Sequence, residues 1–147
     1  MQYIGIDMSK DTFHAAFDET KVLIFQNDKT GMKSFQKKLD NPADVLIGLE
    51  STGAYHLLFC SILTNHGFRV KVINSLLTHR MISSTLRKVK TDRTDALAIR
   101  KTLIAGLGYI FSDTPEIMAL KTLVQEREAI VRMRAQTKQR VHVHRMK

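Results

Sequence analysis

With 147 residues, 44% of them hydrophobic, the chain can build the core of one compact domain and leaves room for an appendage. Its 23 Lys and Arg against 14 Asp and Glu give a net charge of +9, which favours a polyanionic partner, nucleic acid first and an anionic membrane second. The single cysteine, Cys60, excludes an internal disulfide and a cysteine-based zinc site, and its apolar surroundings suit a buried thiol in a reducing compartment. Acids appear too early in MQYIGIDMSKD for a signal peptide, and no apolar run reaches bilayer length, so a soluble, cytoplasmic protein is expected.

Residues 2–7 (QYIGID) are short and apolar and end on an acid. Residues 12–18 (TFHAAFD) and 21–26 (KVLIFQ) read as two more strands, and the tight connection DET predicts a meander of the three. Thr30 is placed to cap a helix over 31–39, with Met32, Phe35 and Leu39 on one face, and Asn41-Pro42 breaks the pattern. Residues 45–49 (VLIGL) form a continuous apolar run closed by Glu50, which suits a strand buried on both faces. A helix over 53–66 follows, with Tyr55, Leu58, Phe59 and Ile62 facing inward and His66-Gly67 as its stop. Residues 68–73 (FRVKVI) alternate as a strand does, a polar and basic stretch over 74–90 is partly helical, and a helix starts near Asp92 and ends at Gly106 or Gly108.

Residues 111–115 read as a hinge. From 115 to 147 the pattern is one long helix, with Pro115 in its first turn and Thr114 or Asp113 as cap. Leu123, Ile130 and Thr137 recur every seven residues beside Val124 and Val131, a coiled-coil seam, and eight Lys and Arg face three Glu along it. Such a helix, about 50 Å long at the usual rise, is too long to bury its stripe on its own domain and is expected to pair with another helix. The pattern still runs at HVHRMK, as expected of the front part of a longer protein. The element order predicts an α/β fold: a mixed five-stranded sheet flanked by helices, strands one, four and five parallel, over 1–112, then the helix over 113–147.

Four acids carry the chemical argument. Asp7 ends the first strand and Glu50 follows the fourth; if those strands are parallel neighbours, both carboxylates leave the sheet at its carboxyl edge, where sites in open α/β sheets gather. Asp92 and Asp95, three apart at a helix start, project from one face. Four carboxylates raise one another's pKa unless cations stand between them, and hard oxygen donors suit Mg²⁺ or Mn²⁺. Two such ions activate a water and stabilise the leaving oxygen of a phosphodiester. Lys88, Lys90, Arg93, Arg100 and Lys101 would then anchor phosphates. The plainer readings are that Asp92 is an N-cap, Asp95 a favourable charge in a first helical turn, and Asp7 a turn residue. Glu50 resists that treatment, because it follows five apolar residues and a buried unpaired carboxylate is costly.

GIDMSKDTF, GLESTGAYH and KTDRTDALAI, in this order, resemble the DEDD transposases and Piv-like DNA invertases of bacterial insertion sequences, over most of the chain. The resemblance implies a RuvC-like, RNase H-like fold and a catalytic tetrad of Asp7, Glu50, Asp92 and Asp95. It implies metal-dependent DNA cleavage and rejoining, with two Mg²⁺ or Mn²⁺ ions held by the same four residues. It also implies DNA as partner, a structured guide RNA in one branch, a homo-oligomer formed through the long helix, a prokaryotic, nucleoid-associated location, and a separate C-terminal domain with a serine nucleophile that nothing here matches.

Nucleic-acid contacts are expected at Lys10, Arg80, Lys88, Lys90, Arg93, Arg134, Lys138 and Arg140, although Arg side chains on a long helix also snorkel along its surface. Ser9 reads equally as a phosphate contact or a turn residue, Thr52 and Gly53 as helix-capping, His56 as facing the site or a nucleic acid before a metal ligand, and His79 as a phosphate contact or part of a solvated face. His142 and His144, two apart, do not face each other on a helix. Two other functions compete. An actin-like sugar kinase also opens on a GID turn and a meander, but a second glycine-rich phosphate loop is lacking. A non-catalytic nucleic-acid-binding and dimerising module would need only the basic helix.

Overall fold

A computed structural model describes residues 1–51, 55–83 and 91–145, the side chains of Tyr55, Ile82, Ser83, His144 and Arg145 apart. The chain divides into two compact units, Met1–Ser112 and Asp113–Lys147.

The first unit is built on a mixed sheet. Strands β1 (Gln2–Met8), β2 (Thr12–Ala16) and β3 (Val22–Gln26) form an antiparallel meander, and β4 (Val45–Glu50) and β5 (Arg69–Ile73) run parallel to β1. Local chemistry sets the turns. The Ser9 hydroxyl donates to Thr12 O at 2.7 Å and closes the β1–β2 connection. The Asp18 carboxylate accepts the N–H groups of Thr20 and Lys21, each at 2.7 Å, and closes β2–β3. The Lys21 and Thr20 N–H groups hold the Asp18 carboxyl below the usual carboxylate range.

The sheet has six strands rather than five, in the order β3-β2-β1-β4-β5-β6. The extra strand, β6 (Tyr109–Ile110), pairs antiparallel with β5 between the expected helix end at Gly106 or Gly108 and the expected hinge over 111–115. Two exposed residues carry no alternation to read. What holds them is tertiary: the buried Phe111 donates its N–H to Val70 O at 2.8 Å.

One face of the sheet is closed by helices α1 (Lys29–Gln36) and α2 (Tyr55–Asn65) over Ile4, Ile6, Phe13, Phe25, Ile47, Leu49 and Val70, all buried. Phe35 of α1 is wholly buried there, with the rings of Phe13, Phe17, Phe25 and Phe59 at centroid distances of 5.4 to 6.2 Å.

Two sequence-based details change. Asp28, not Thr30, caps α1: its backbone is extended and its carboxylate accepts Gly31 N at 2.7 Å, while Thr30 falls inside the first turn. In α2 the inward line runs through Leu57, Phe59, Cys60 and Leu63, and Leu58 is 64% exposed. YHLLFCSIL is apolar nearly all round, so its pattern cannot fix the rotation of the helix. Thr52, Gly53 and the Tyr55 side chain lie outside the described residues.

The other face carries α4 (Asp92–Ile104), with α3 (Ser75–Ser83) packed beside it. Glycines make this docking possible. A Cβ on Gly5 of β1 would stand 2.3 Å from Ala96 O and 2.4 Å from Arg100 N. Gly48, its register partner on β4, would place a Cβ 3.1 Å from methyl groups of Ile73 and Leu103. Ile73, Ile99 and Leu103 form a small core there with Tyr3, Leu46 and Leu77. Arg100 Nε donates to Tyr3 O at 2.9 Å, so α4 runs back along β1 and turns its N-terminus toward the carboxyl end of that strand.

The second unit is α5 (Pro115–Arg145). Thr114 caps it, its Oγ1 accepting Ile117 N at 3.4 Å, and Asp113 pairs with Lys121 at 2.5 Å. The seam residues Leu123, Val124, Ile130 and Val131 are exposed along this helix.

Candidate functional site

Register and alternation bring Asp7 and Glu50 to one place. The pairing of β1 with β4 runs from Gln2↔Val45 to Ile6↔Leu49, so one further step sets Asp7 beside Glu50. Side chains alternate along a strand. Asp7 therefore shares the face of Gly5, and Glu50 that of Gly48, which is the α4 face for both. Both acids are half-buried at the carboxyl edge of adjacent parallel strands.

The first turn of α4 reaches the same edge. Thr91 caps it in a reciprocal box: Thr91 Oγ1 accepts Thr94 N at 3.2 Å, and Thr94 Oγ1 accepts Thr91 N at 2.9 Å. The cap reading of Asp92 is thereby replaced, since Thr91 occupies that position and Asp92 begins the helix proper. Asp95 precedes Ala96, which rests on Gly5, and Asp95 Oδ1 is withdrawn from solvent. A helix N-terminus favours negative charge, so α4 tolerates both acids where the sheet already presents two.

Two residues of this edge are missing from the sequence reading. His14 of β2 stands opposite Asp7 in register, and its Nδ1 lies 3.9 Å from Asp92 Oδ2, an ion pair whenever the imidazole is protonated. The alternation of TFHAAF does put His14 on one face, but only the pairing with β1 says which acid it meets. Thr78 of α3 is buried and its hydroxyl donates to Glu50 Oε1 at 2.5 Å. It sits in a polar stretch with no pattern to mark it. Among the described residues, no three His, Cys, Asp or Glu side chains are gathered closely enough to hold a metal ion. Carboxylate oxygens are the donor type that hard divalent cations take.

The cations divide by what they already hold. Arg100 is half-buried and tied to Tyr3 O, which makes it part of the α4–β1 joint rather than an open phosphate anchor. Arg93 Nη2 donates to Thr20 O at 2.8 Å and fastens α4 to the β2–β3 turn while its remaining donors stay at the exposed surface. Lys10 is exposed in the β1–β2 connection, three residues after Asp7, and Arg80 and His79 are exposed on α3. Arg134, Lys138 and Arg140, with His142, are exposed along α5, within the second unit. Lys88 and Lys90 lie outside the described residues, as does the His144 side chain. His56 is buried on α2. No helix among the described residues is long and apolar enough to cross a membrane.

Comparison with known proteins gives this edge a context. A family model described as a transposase, of the IS110-type DEDD group, matches residues 4–144. The pilin gene-inverting protein of Moraxella lacunata is 29% identical over 106 residues, which cover 67% of this chain and 33% of that protein. The pilin gene-inverting protein of Moraxella bovis is 28% identical over the same shares. The chain thus spans about a third of the length of these relatives. With the family model running across nearly every element described above, the chain belongs to the IS110-type DEDD transposase family.

Proposed function

We propose that this chain is the metal-dependent catalytic part of a transposase or site-specific DNA recombinase, with an RNase H-like fold and the tetrad Asp7, Glu50, Asp92 and Asp95. The observation that carries this is the shared sheet edge: two carboxylates on adjacent parallel strands, and two more in the first turn of a helix that docks on the same face. The relatives' names, pilin gene-inverting proteins, support DNA inversion as the type of reaction.

Asp7, Glu50, Asp92 and Asp95 would hold one or two Mg²⁺ or Mn²⁺ ions, which when bound supply a nucleophilic water and charge stabilisation at the scissile phosphate. The chain's own residues prepare that place. Thr78 donates to Glu50 and fixes its rotamer. The capping box of Thr91 and Thr94 fixes where Asp92 and Asp95 start. His14 Nδ1 stands 3.9 Å from Asp92 Oδ2 and pairs with it whenever the imidazole is protonated. Lys10, Arg80 and Arg93 would hold phosphates in the first unit, and Arg134, Lys138 and Arg140 would do so on α5. Homo-oligomerisation through the α5 seam, and a structured guide RNA beside the DNA, belong to the same reading.

Calorimetric titration with Mn²⁺ tests it, with a short DNA duplex present and absent. Wild type is expected to bind, more tightly with DNA, and Asp7→Asn or Glu50→Gln to lose the heat. Equal binding by wild type and both variants would overturn the tetrad. A second reading, a nucleic-acid-binding and dimerising module without catalysis, is favoured by the open spacing of the acids among the described residues. It predicts DNA binding unchanged by EDTA and by neutralising all four acids.

A further inference from the structure

On the sheet face opposite α4, a groove of about 570 Å³ opens between α1 and α2. That volume is within the range of small-ligand sites. Its apolar lining is Met32, Leu58, Phe59 and Ile62. Leu58 is 64% exposed although its helix neighbours are buried, so the groove leaves a large apolar side chain uncovered. Its rim is basic, with Lys10, Lys29 and Lys33, all exposed, and His66. The acid of the rim, Asp28, turns its carboxylate back onto Gly31 N to cap α1. Gln36 lines the groove; its terminal amide nitrogen is withdrawn from solvent and has no hydrogen-bond partner among the described residues. A buried donor in that condition costs free energy until an acceptor arrives.

We infer that this groove receives an unstacked base of single-stranded DNA. Its flat apolar faces would lie against Leu58, Ile62 and Met32, a base carbonyl would accept from the Gln36 amide once that side chain turns toward the groove, and flanking phosphates would rest on Lys10, Lys29 and Lys33. The combination selects this occupant. An apolar floor alone would suit any greasy group, but three lysines ask for repeated negative charge, and the amide asks for a neutral acceptor within the apolar part. Nucleotides in a strand supply all three at fixed spacing, and enzymes acting on nucleic acids place extruded bases between apolar side chains. The groove lies on the other side of the sheet from the acids but shares a chain connection with them. Lys10 belongs to the connection that leaves β1 just after Asp7, and Asn27 Nδ2 fixes that connection by donating to Ser9 O at 2.9 Å and Lys10 O at 3.3 Å. A displaced strand leaving the carboxylate edge would thus meet the basic rim. The inference rests on the nucleic-acid reading above, not on the metal.

Fluorescence anisotropy with a labelled oligothymidylate, an abasic DNA strand of equal length, and an oligouridylate tests it at fixed salt in EDTA. Wild type is expected to bind oligothymidylate about tenfold tighter than the abasic strand, the scale of one well-seated base. Leu58→Ser changes an exposed side chain without adding charge, so it should abolish that preference and leave abasic binding unchanged. Replacing Lys10, Lys29 and Lys33 together by Gln should weaken both DNA strands and flatten their salt dependence. Equal binding of thymidylate and abasic strands by wild type, or a preference that survives Leu58→Ser, would overturn the groove while leaving nucleic-acid binding intact. A Leu58-dependent preference for oligouridylate over oligothymidylate would overturn DNA as the occupant. No binding of any strand would overturn this inference together with the nucleic-acid reading.

Discussion

The two faces of the sheet are sealed in different ways. The α1–α2 face is filled by large side chains, five phenylalanines among them, and tolerates a helix whose rotation its own pattern does not fix. The α4 face is sealed by removing side chains: Gly5 lets the backbone of α4 rest on β1, and Gly48 leaves room for the side chains of Ile73 and Leu103. Bulk provides stability, whereas close backbone approach provides position. The acids sit on the face where position is fixed most tightly, because a carboxylate carried by a closely docked helix has little freedom relative to one carried by the strand beneath.

Four changes would break or sharpen that contrast. Phe35→Ala should cost the most stability, about 3–5 kcal/mol, since it removes the ring at the centre of the aromatic cluster. At temperatures where the variant remains folded, its Mn²⁺ affinity should stay near wild type; chemical denaturation and calorimetry together report both. Gly5→Ala should cost about 1–3 kcal/mol, yet weaken Mn²⁺ binding far more than Phe35→Ala does. Its new methyl would meet backbone atoms of α4 that cannot rotate away. If Gly5→Ala binds metal as wild type does, close docking is not what positions the acids.

Thr91→Ala should cost about 1 kcal/mol by removing the cap that starts α4. Amide exchange should accelerate in the first turn of α4 and not in α2. The smallest effect belongs to Asp18. Its pKa is depressed in the folded chain, so its contribution to the β2–β3 turn is complete above the usual value of 3.8 and fades as pH falls through the lower folded value. The amide shifts of Thr20 and Lys21 should titrate in that acidic window in wild type and not in Asp18→Asn.

Much of this molecule was legible in the chain. The meander, the buried fourth strand, the alternation of residues 68–73 and the helix starting at Asp92 each have a local cause: strand period, turn chemistry or a capping threonine. The errors also have causes. The rotation of α2 was hidden because its segment is apolar on every side, and β6 because two residues have no period. At the candidate site, the four acids could be named from the chain, but His14 and Thr78 could not. The relation of each to an acid exists only across strands or between a helix and a strand end.

The sequence by itself determined the order and type of the elements, the positive charge and the four acids, because these depend on side-chain chemistry and on periods of a few residues. The tertiary structure decided which residues meet. The β1–β4 register places Asp7 beside Glu50, and the two glycines let α4 lie close enough to bring Asp92 and Asp95 toward them. Those meetings join residues more than 40 positions apart, where no local pattern reaches and only packing selects the partner.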